Sequence, residues 1–222
     1  GRLMQKISIS QNPLSTTASS YFNQWTPLNW THQSDADFGF KQCSFDLVGR
    51  PYDLEEMIYN GLTRRVTRYS EDGNVVIFDG YIDQMTLTEP GMRVRADTRD
   101  LYNSVVVVYT QLNTGVNPPT ETANTATAAA TDSDSQAMYG TKELIHRPPI
   151  VKMTAGMATQ LRDNLLAQYK SPKPTADVVS GERTARLHVV CSGYMGTLDW
   201  RVYNQTVNSG TQNASSEVID IL

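Results

Sequence analysis

The stretch EDGNVVIFDGYIDQMTLTEPGMRV, residues 71–94, decides the fold. It carries two Asp-Gly dipeptides, Asp72-Gly73 and Asp79-Gly80, and a further turn signal at Glu89-Pro90-Gly91. Asp-Gly between apolar alternations marks a hairpin, because both residues tolerate the positive φ that tight turns require. Two such turns seven residues apart would leave very short strands. We therefore read Asp72-Gly73 as the turn, and Asp79-Gly80 as a bend inside one strand from Asn74 to Thr88. Drawn straight, that strand puts Ile77, Asp79, Tyr81, Asp83 and Met85 on one face. Val76, Phe78, Gly80, Ile82 and Gln84 take the other. Apolar residues on both faces suit a strand lying between layers or subunits, and Gly80 removes a side chain at a tight barrel corner. A true turn there, pairing Phe78 with Tyr81, would point instead to a sandwich of short hairpins.

The flanking segments extend the β pattern. LMQKISIS (residues 3–10) alternates as a strand, and the polar run after it reads as loop. FGFKQCSFDLVG (38–49) changes apolar register near Gln42, which predicts a strand with a bulge or twist. In PYDLEEMIYNGL, Asp53 caps a short helix over residues 54–60, ended by Gly61. TRRVTRYS is a strand, and SVVVVYT (104–110) is a buried one. Residues 111–134 are rich in Thr, Ala, Asn and Ser and poor in bulky apolar side chains. Such a segment buries too little surface to offset its ordering entropy, so we expect a flexible loop, or an arm that pairs with a neighbouring subunit.

SQAMYGTKELIH then reads as a short turn and a strand. Met157, Leu161, Leu165 and Tyr169 recur at helical spacing, with Leu166 beside them, so a helix is expected over residues 154–170. Thr154 caps it, and Pro172 and Pro174 end it. TADVVS, TARLHVVCSG, GTLDWRVYNQTV and SSEVIDIL are read as strands. The expected organisation is a β-barrel domain over 1–110, the loop or arm over 111–134, and a second β-rich domain over 135–222. The class is mainly β with a few helices, α+β.

Composition bounds the function. The 222 residues are 39% apolar and carry a net charge of −4 with mixed signs. That argues against a dedicated nucleic-acid binder, which would show a basic face. No apolar run approaches the length of a membrane span. The chain opens on Gly1 rather than Met, with no leader pattern, so a processed or trimmed polypeptide is expected. Cys43 and Cys191 lie in strand-like runs outside any Cys/His cluster, which predicts two buried free thiols and no zinc site.

Catalytic constellations are sparse. Asp79 and Asp83 would share a strand face about 13 Å apart at about 3.3 Å per residue. That exceeds the roughly 5–9.5 Å of a glycosidase carboxylate pair, so a solvated face is the preferred reading. Asp97, Thr98, Arg99 and Asp100 read as a strand end with a cap. His32, His146 and His188 are dispersed. His188 and Cys191 stand three apart, on opposite faces of a straight strand, so His188 is read as structural. Arg64, Arg65 and Arg68 form a basic cluster. Arg64 and Arg68 share a face that is either solvated or suited to an acidic partner. Asn204-Gln205-Thr206 and Asn213-Ala214-Ser215 match the glycosylation pattern, which matters only in a eukaryotic secreted protein. No catalytic, cofactor-binding or metal residues are assigned, and no enzyme activity is expected.

Two readings remain from the residues: an assembly protein, or a binding module with Tyr21, Trp25 and Trp30 as stacking platforms for a carbohydrate or receptor. A resemblance favours the first. FGFKQCSFDLVGRP, the short helix, VTRYSEDGNVVIFDGYIDQM and MRVRADTRDLYN follow one another as in the first domain of phage tail baseplate-hub and tail-tip proteins. Tyr139-Gly140-Thr141-Lys142-Glu143 resembles a Tyr-Gly-basic-Glu segment of minor tail proteins. The resemblance implies a tail-tube-like β-barrel assembling into a trimeric or hexameric ring in the virion, made in the bacterial host cytoplasm. It implies tube, distal tail and spike or fibre proteins as neighbours. DNA would pass without specific binding, and no membrane insertion or cofactor is implied.

Overall fold

A computed structural model describes residues 7–13, 27–35, 39–70, 73–149, 152–181 and 183–194. In chain order they form β1 (Ile7–Pro13), β2 (Leu28–Asp35), β3 (Gly39–Val48), α1 (Pro51–Asn60), β4 (Arg64–Tyr69), β5 (Val76–Glu89), β6 (Met92–Asp97) and β7 (Ser104–Asn113). Then come β8 (Thr120–Ala126), β9 (Ala130–Thr131), α2 (Ser133–Tyr139), β10 (Glu143–His146), β11 (Lys152–Met153), α3 (Ala155–Tyr169), β12 (Thr175–Val178) and β13 (Arg186–Gly193). The protein is mainly β with helices, the α+β class. Tyr21, Trp25, Asp72, the strands expected in GTLDWRVYNQTV and SSEVIDIL, and both glycosylation triplets lie outside the described residues.

The chain forms two compact units, but not two successive halves. One gathers the described residues up to Leu101, Ser133–Gly140, and the segment from Ser171 through Tyr194. The other takes Tyr102–Asp132 and Thr141–Lys170. The boundaries expected at 110 and 134 therefore give way to an interleaved division.

The first unit is built on a sheet ordered β1-β4-β5-β13-β3-β2, with β6 and β12 branching from β5. Among the described residues it does not close into the expected barrel. The 14-residue β5 makes the branch. Its first half pairs with β4 and its second half with β6, while β13 follows its other edge. Asp79 and Gly80 lie inside this ladder, opposite Thr67 and Val66, so no turn occurs there. The extra residue is Asp83: Val190 pairs with Gln84 and Cys191 with Ile82. This bulge inverts the inward face. Phe78 and Ile82 point into the core before it, Met85 and Leu87 after it. Met85 thus joins Phe78 and Ile82 instead of sharing the Asp79 face.

β3 has a matching irregularity. Gln42 pairs with Gln33 but Phe40 with Ser34, which leaves Lys41 extra, one residue from the predicted switch. Cys43, Phe45 and Leu47 then face inward. α1 lies over β5, β6 and β13 and buries Leu54, Met57 and Ile58. It starts at Pro51, earlier than the Asp53 cap predicts, because the missing N–H and fixed φ of proline suit a first helical turn. Asp53 sits in that turn, 2.9 Å from Arg50. The stretch read as a turn before Gly140 is the helix α2, ended by Gly140 at φ +77°. Phe45, Phe78, Leu54, Met57 and Leu87 are fully buried. Each contributes about 1.5–3 kcal/mol relative to exposure.

In the second unit β7 is central. β10 and β11 run parallel to it along one edge, β9 and β8 antiparallel along the other. Thr154 caps α3, its side chain accepting from the Met157 N–H. Ala158, Leu161 and Leu165 pack with Val107, Tyr109 and Met153. The predicted stripe holds at Leu161 and Leu165, but at its start Met157 is exposed and Ala158 is buried. The expected loop or arm over 111–134 contains β8 and β9. β8 buries little, and its order comes from main-chain pairing with β7, which suits threonine.

Candidate functional site

The site lies on the face of β2, β3 and β13 opposite the core. On β3, Cys43, Phe45 and Leu47 point inward, so Gln42, Ser44 and Asp46 point outward. The ladder sets Leu28, Asp46 and His188 in one row, and Thr31, Ser44 and Val190 in the next. β2 takes three steps from Leu28 to Thr31 while β3 takes two, so a bulge falls at Asn29 and Trp30. Asn29 adopts φ 52°, a left-handed conformation that asparagine tolerates better than most residues. Its Nδ2 donates to Asp46 Oδ2 at 2.7 Å.

Asp46 is the organising charge. Its side chain is only 9% exposed, yet it meets His188 Nδ1 at 2.7 Å and the Arg186 guanidinium at 3.8 Å. Burial by itself raises its pKa. The hydrogen bonds from Asn29 and His188, with the charges of His188 and Arg186, outweigh that and hold it below the ordinary carboxylate value. An ionised carboxylate only accepts, so His188 Nδ1 carries a proton and donates it to Asp46 Oδ1. Beside this pair, Thr31 and Ser44 share a hydroxyl hydrogen bond of 2.7 Å. A hollow of about 300 Å³ is bordered by Thr31, His32, Gln33, Gln42, Ser44 and His188. The hollow offers several neutral donors and acceptors and one oriented imidazole. Ser44 Oγ is engaged with Thr31, so Ser44, His188 and Asp46 do not line up as nucleophile, base and orienting acid.

The residues singled out in the sequence separate. His32 and His188 meet at the hollow, whereas His146 belongs to the other unit. His188 points outward and Cys191 inward, as their spacing predicts. Asp79 is not simply solvated: Arg65 grips it through Nε at 2.8 Å and a terminal nitrogen at 2.6 Å, and Thr67 Oγ1 donates at 3.0 Å. Asp83 accepts from the hydroxyls of Thr98 and Ser192. Neither aspartate forms part of a free acid–base pair. Asp97 closes on Arg99 through the backbone N–H at 3.0 Å and the guanidinium at 2.8 Å, a local structural role.

The basic cluster is also engaged inside the fold. Arg64 donates to the carbonyls of Asn60 and Ser10, and Arg68 lies 4.5 Å over the Trp30 ring. Trp30 in turn stacks on Phe45 at 5.2 Å, so it serves the core and is no platform for a ligand. Asp46 and Asn29 went unnoticed in the sequence. The available signal was an acid inside the strand text CSFDLV, because a buried carboxylate must recruit partners.

Among the described residues, no group of three or more His, Cys, Asp or Glu side chains is placed to hold a metal ion. No helix among them is long and apolar enough to cross a membrane. Compared with protein-family models, curated proteins and solved structures, the chain gives no match.

Proposed function

We propose that this chain is a structural protein of a bacteriophage tail, forming the baseplate hub or tail tip. It would close the tail tube, join it to spike or fibre proteins, and let DNA pass at ejection. The observation that carries this reading is the set of open sheet edges. Among the described residues β2 pairs only with β3, β12 only with β6, and β8 only with β7. All of β12 is exposed, with Val178 at 94%. A strand with an outward row of N–H and C=O groups is a template that a strand from a neighbour can complete. The tube-like barrel of the resemblance would then close only in the assembly. No catalytic step belongs to this reading.

The test is the oligomeric state of the intact chain by light scattering and particle imaging. A trimeric or hexameric ring is expected, weakened by Val178→Lys at the β12 edge while the circular dichroism stays unchanged. A stable monomer at high concentration, with affinity for glycans, would overturn it. That outcome would favour a carbohydrate- or receptor-binding module, for which the hollow between Thr31, Gln42 and His188 is the specific support. Its neutral donors and acceptors suit a hydroxyl-rich ligand.

A further inference from the structure

Cys43 and Cys191 lie far apart in the chain but are direct partners in the β3–β13 ladder. Both are free, with exposures of 1% and 0%. Opposed residues of an antiparallel pair have Cα atoms about 4.5 or 5.5 Å apart, depending on the type of position. Both values fall within the roughly 4.4–6.8 Å that disulfides span. Cys43 is close enough to act directly on the Cys191 thiol. Neither is used by the candidate site: both side chains belong to the core, on the opposite face from the hollow.

We propose that Cys43 and Cys191 are a pair that peroxide closes into an intramolecular cross-strand disulfide without rearrangement of the sheet. Either thiol can react first, as at Cys43. Its thiolate sulfur attacks one peroxide oxygen, the O–O bond breaks, and hydroxide leaves and takes up a proton as water. The product is a sulfenic acid on Cys43. The facing Cys191 sulfur then attacks the Cys43 sulfur, the S–O bond breaks, and a second water leaves. In sum two thiols are oxidised to one disulfide and one peroxide is reduced to two waters. A peroxide suits the site because it is small and leaves no bulky mixed disulfide in the core. Burial pushes the Cys191 thiol well up, with Cys43 beside it adding to the shift, so little thiolate is present and the pair oxidises slowly, under sustained peroxide. The bond would tie β3 to β13 and close a loop from residue 43 to 191, restricting the unfolded chain far more than the native one.

The experiment exposes the folded chain to hydrogen peroxide, unfolds it, alkylates the remaining thiols, and reads the intact mass and disulfide-linked peptides. We expect one Cys43–Cys191 disulfide, monomeric mobility of the unfolded chain on non-reducing gels, and a urea midpoint that rises and returns with reductant. In Cys191→Ser and in Cys43→Ser, dimedone should tag the cysteine that remains. The wild-type measurement stands alone if either variant fails to fold. Two alkylated thiols, after a treatment that oxidises the urea-unfolded chain, would overturn the proposal. So would disulfide-linked dimers or a lowered midpoint.

Discussion

Replacing Gly80 with alanine is expected to destabilise the first unit strongly, although it adds a single methyl group. Gly80 sits in the middle of β5, opposite Val66 on one side and Gly193 on the other. An added Cβ would lie 2.2 Å from the Ser192 carbonyl oxygen and 2.8 Å from the Phe78 ring. The Ser192 obstacle is main chain, so it cannot rotate away. Moving it out to at least 3.0 Å displaces β13 by more than the tolerance of a ladder hydrogen bond, whose N···O distance spans about 2.7–3.2 Å. Overpacking costs about 1–3 kcal/mol and a disturbed hydrogen bond about 1 more, giving about 2–4 kcal/mol. With a urea slope near 2 kcal/mol/M, the midpoint should fall by about 1–2 M. Gly156→Ala is the control: nothing lies within 4 Å of its Cβ and it stands in α3. That change should raise the stability of its own unit by up to about 1 kcal/mol. Urea unfolding followed by ellipticity and tryptophan fluorescence reads both. A Gly80→Ala midpoint indistinguishable from wild type would refute the crowding at the β5–β13 ladder.

Three other outcomes follow from named contacts. Asp46→Asn should cost about 1–3 kcal/mol at neutral pH, because the charged hydrogen bonds to Asn29 and His188 weaken. Since the folded pKa of Asp46 lies below its ordinary 3.8, its stabilisation is present above that value and disappears as pH falls through the folded one. Wild type should therefore lose stability more steeply than Asp46→Asn on acidification below about pH 4; parallel midpoint-versus-pH curves would contradict this. Thr98→Val keeps the volume of a side chain that is 1% exposed and removes the hydroxyl donated to Asp83. A loss of about 1.5–3 kcal/mol is expected in thermal melts, and a neutral effect would mean the carboxylate finds another donor. In α3, Ala158→Phe should cost about 1–3 kcal/mol by overpacking against β7, whereas Met157→Ala should stay within about 0.5 kcal/mol. The reverse ranking would restore the stripe drawn through Met157.

Local rules carried the sequence reading where neighbours in the chain decide the structure. The single strand through Asp79-Gly80, the switch near Gln42, the capped helix after Thr154 and the inward–outward split of His188 and Cys191 are of this kind. The bulge at Asp83 was legible too: apolar parity passes from Phe78 and Ile82 to Met85 and Leu87, and a straight strand drawn through it hid the change. What depends on distant partners was not legible. Nothing near Thr120–Ala126 announces that β7 will order it. Nothing near Asp46 announces His188, which reaches it only because β13 inserts beside β3. Ala158 replaced Met157 at the helix–sheet contact because close approach favours a small side chain, a preference that hydropathy does not register.

The position of β13 also has a consequence in time. It lies between β3 and β5, yet its residues follow β5 by about a hundred positions. At the usual translation rates of about 5–20 residues per second, roughly 5–20 seconds separate emergence of the two. For that interval two long, apolar strand edges that should face β13 have no native partner. The elements of the second unit from β7 to α3 are all synthesised within the same window. The β13-facing edges of β3 and β5 therefore wait for their shared partner until residues 186–193 clear the ribosome. Release before that point leaves the first unit without its middle strand.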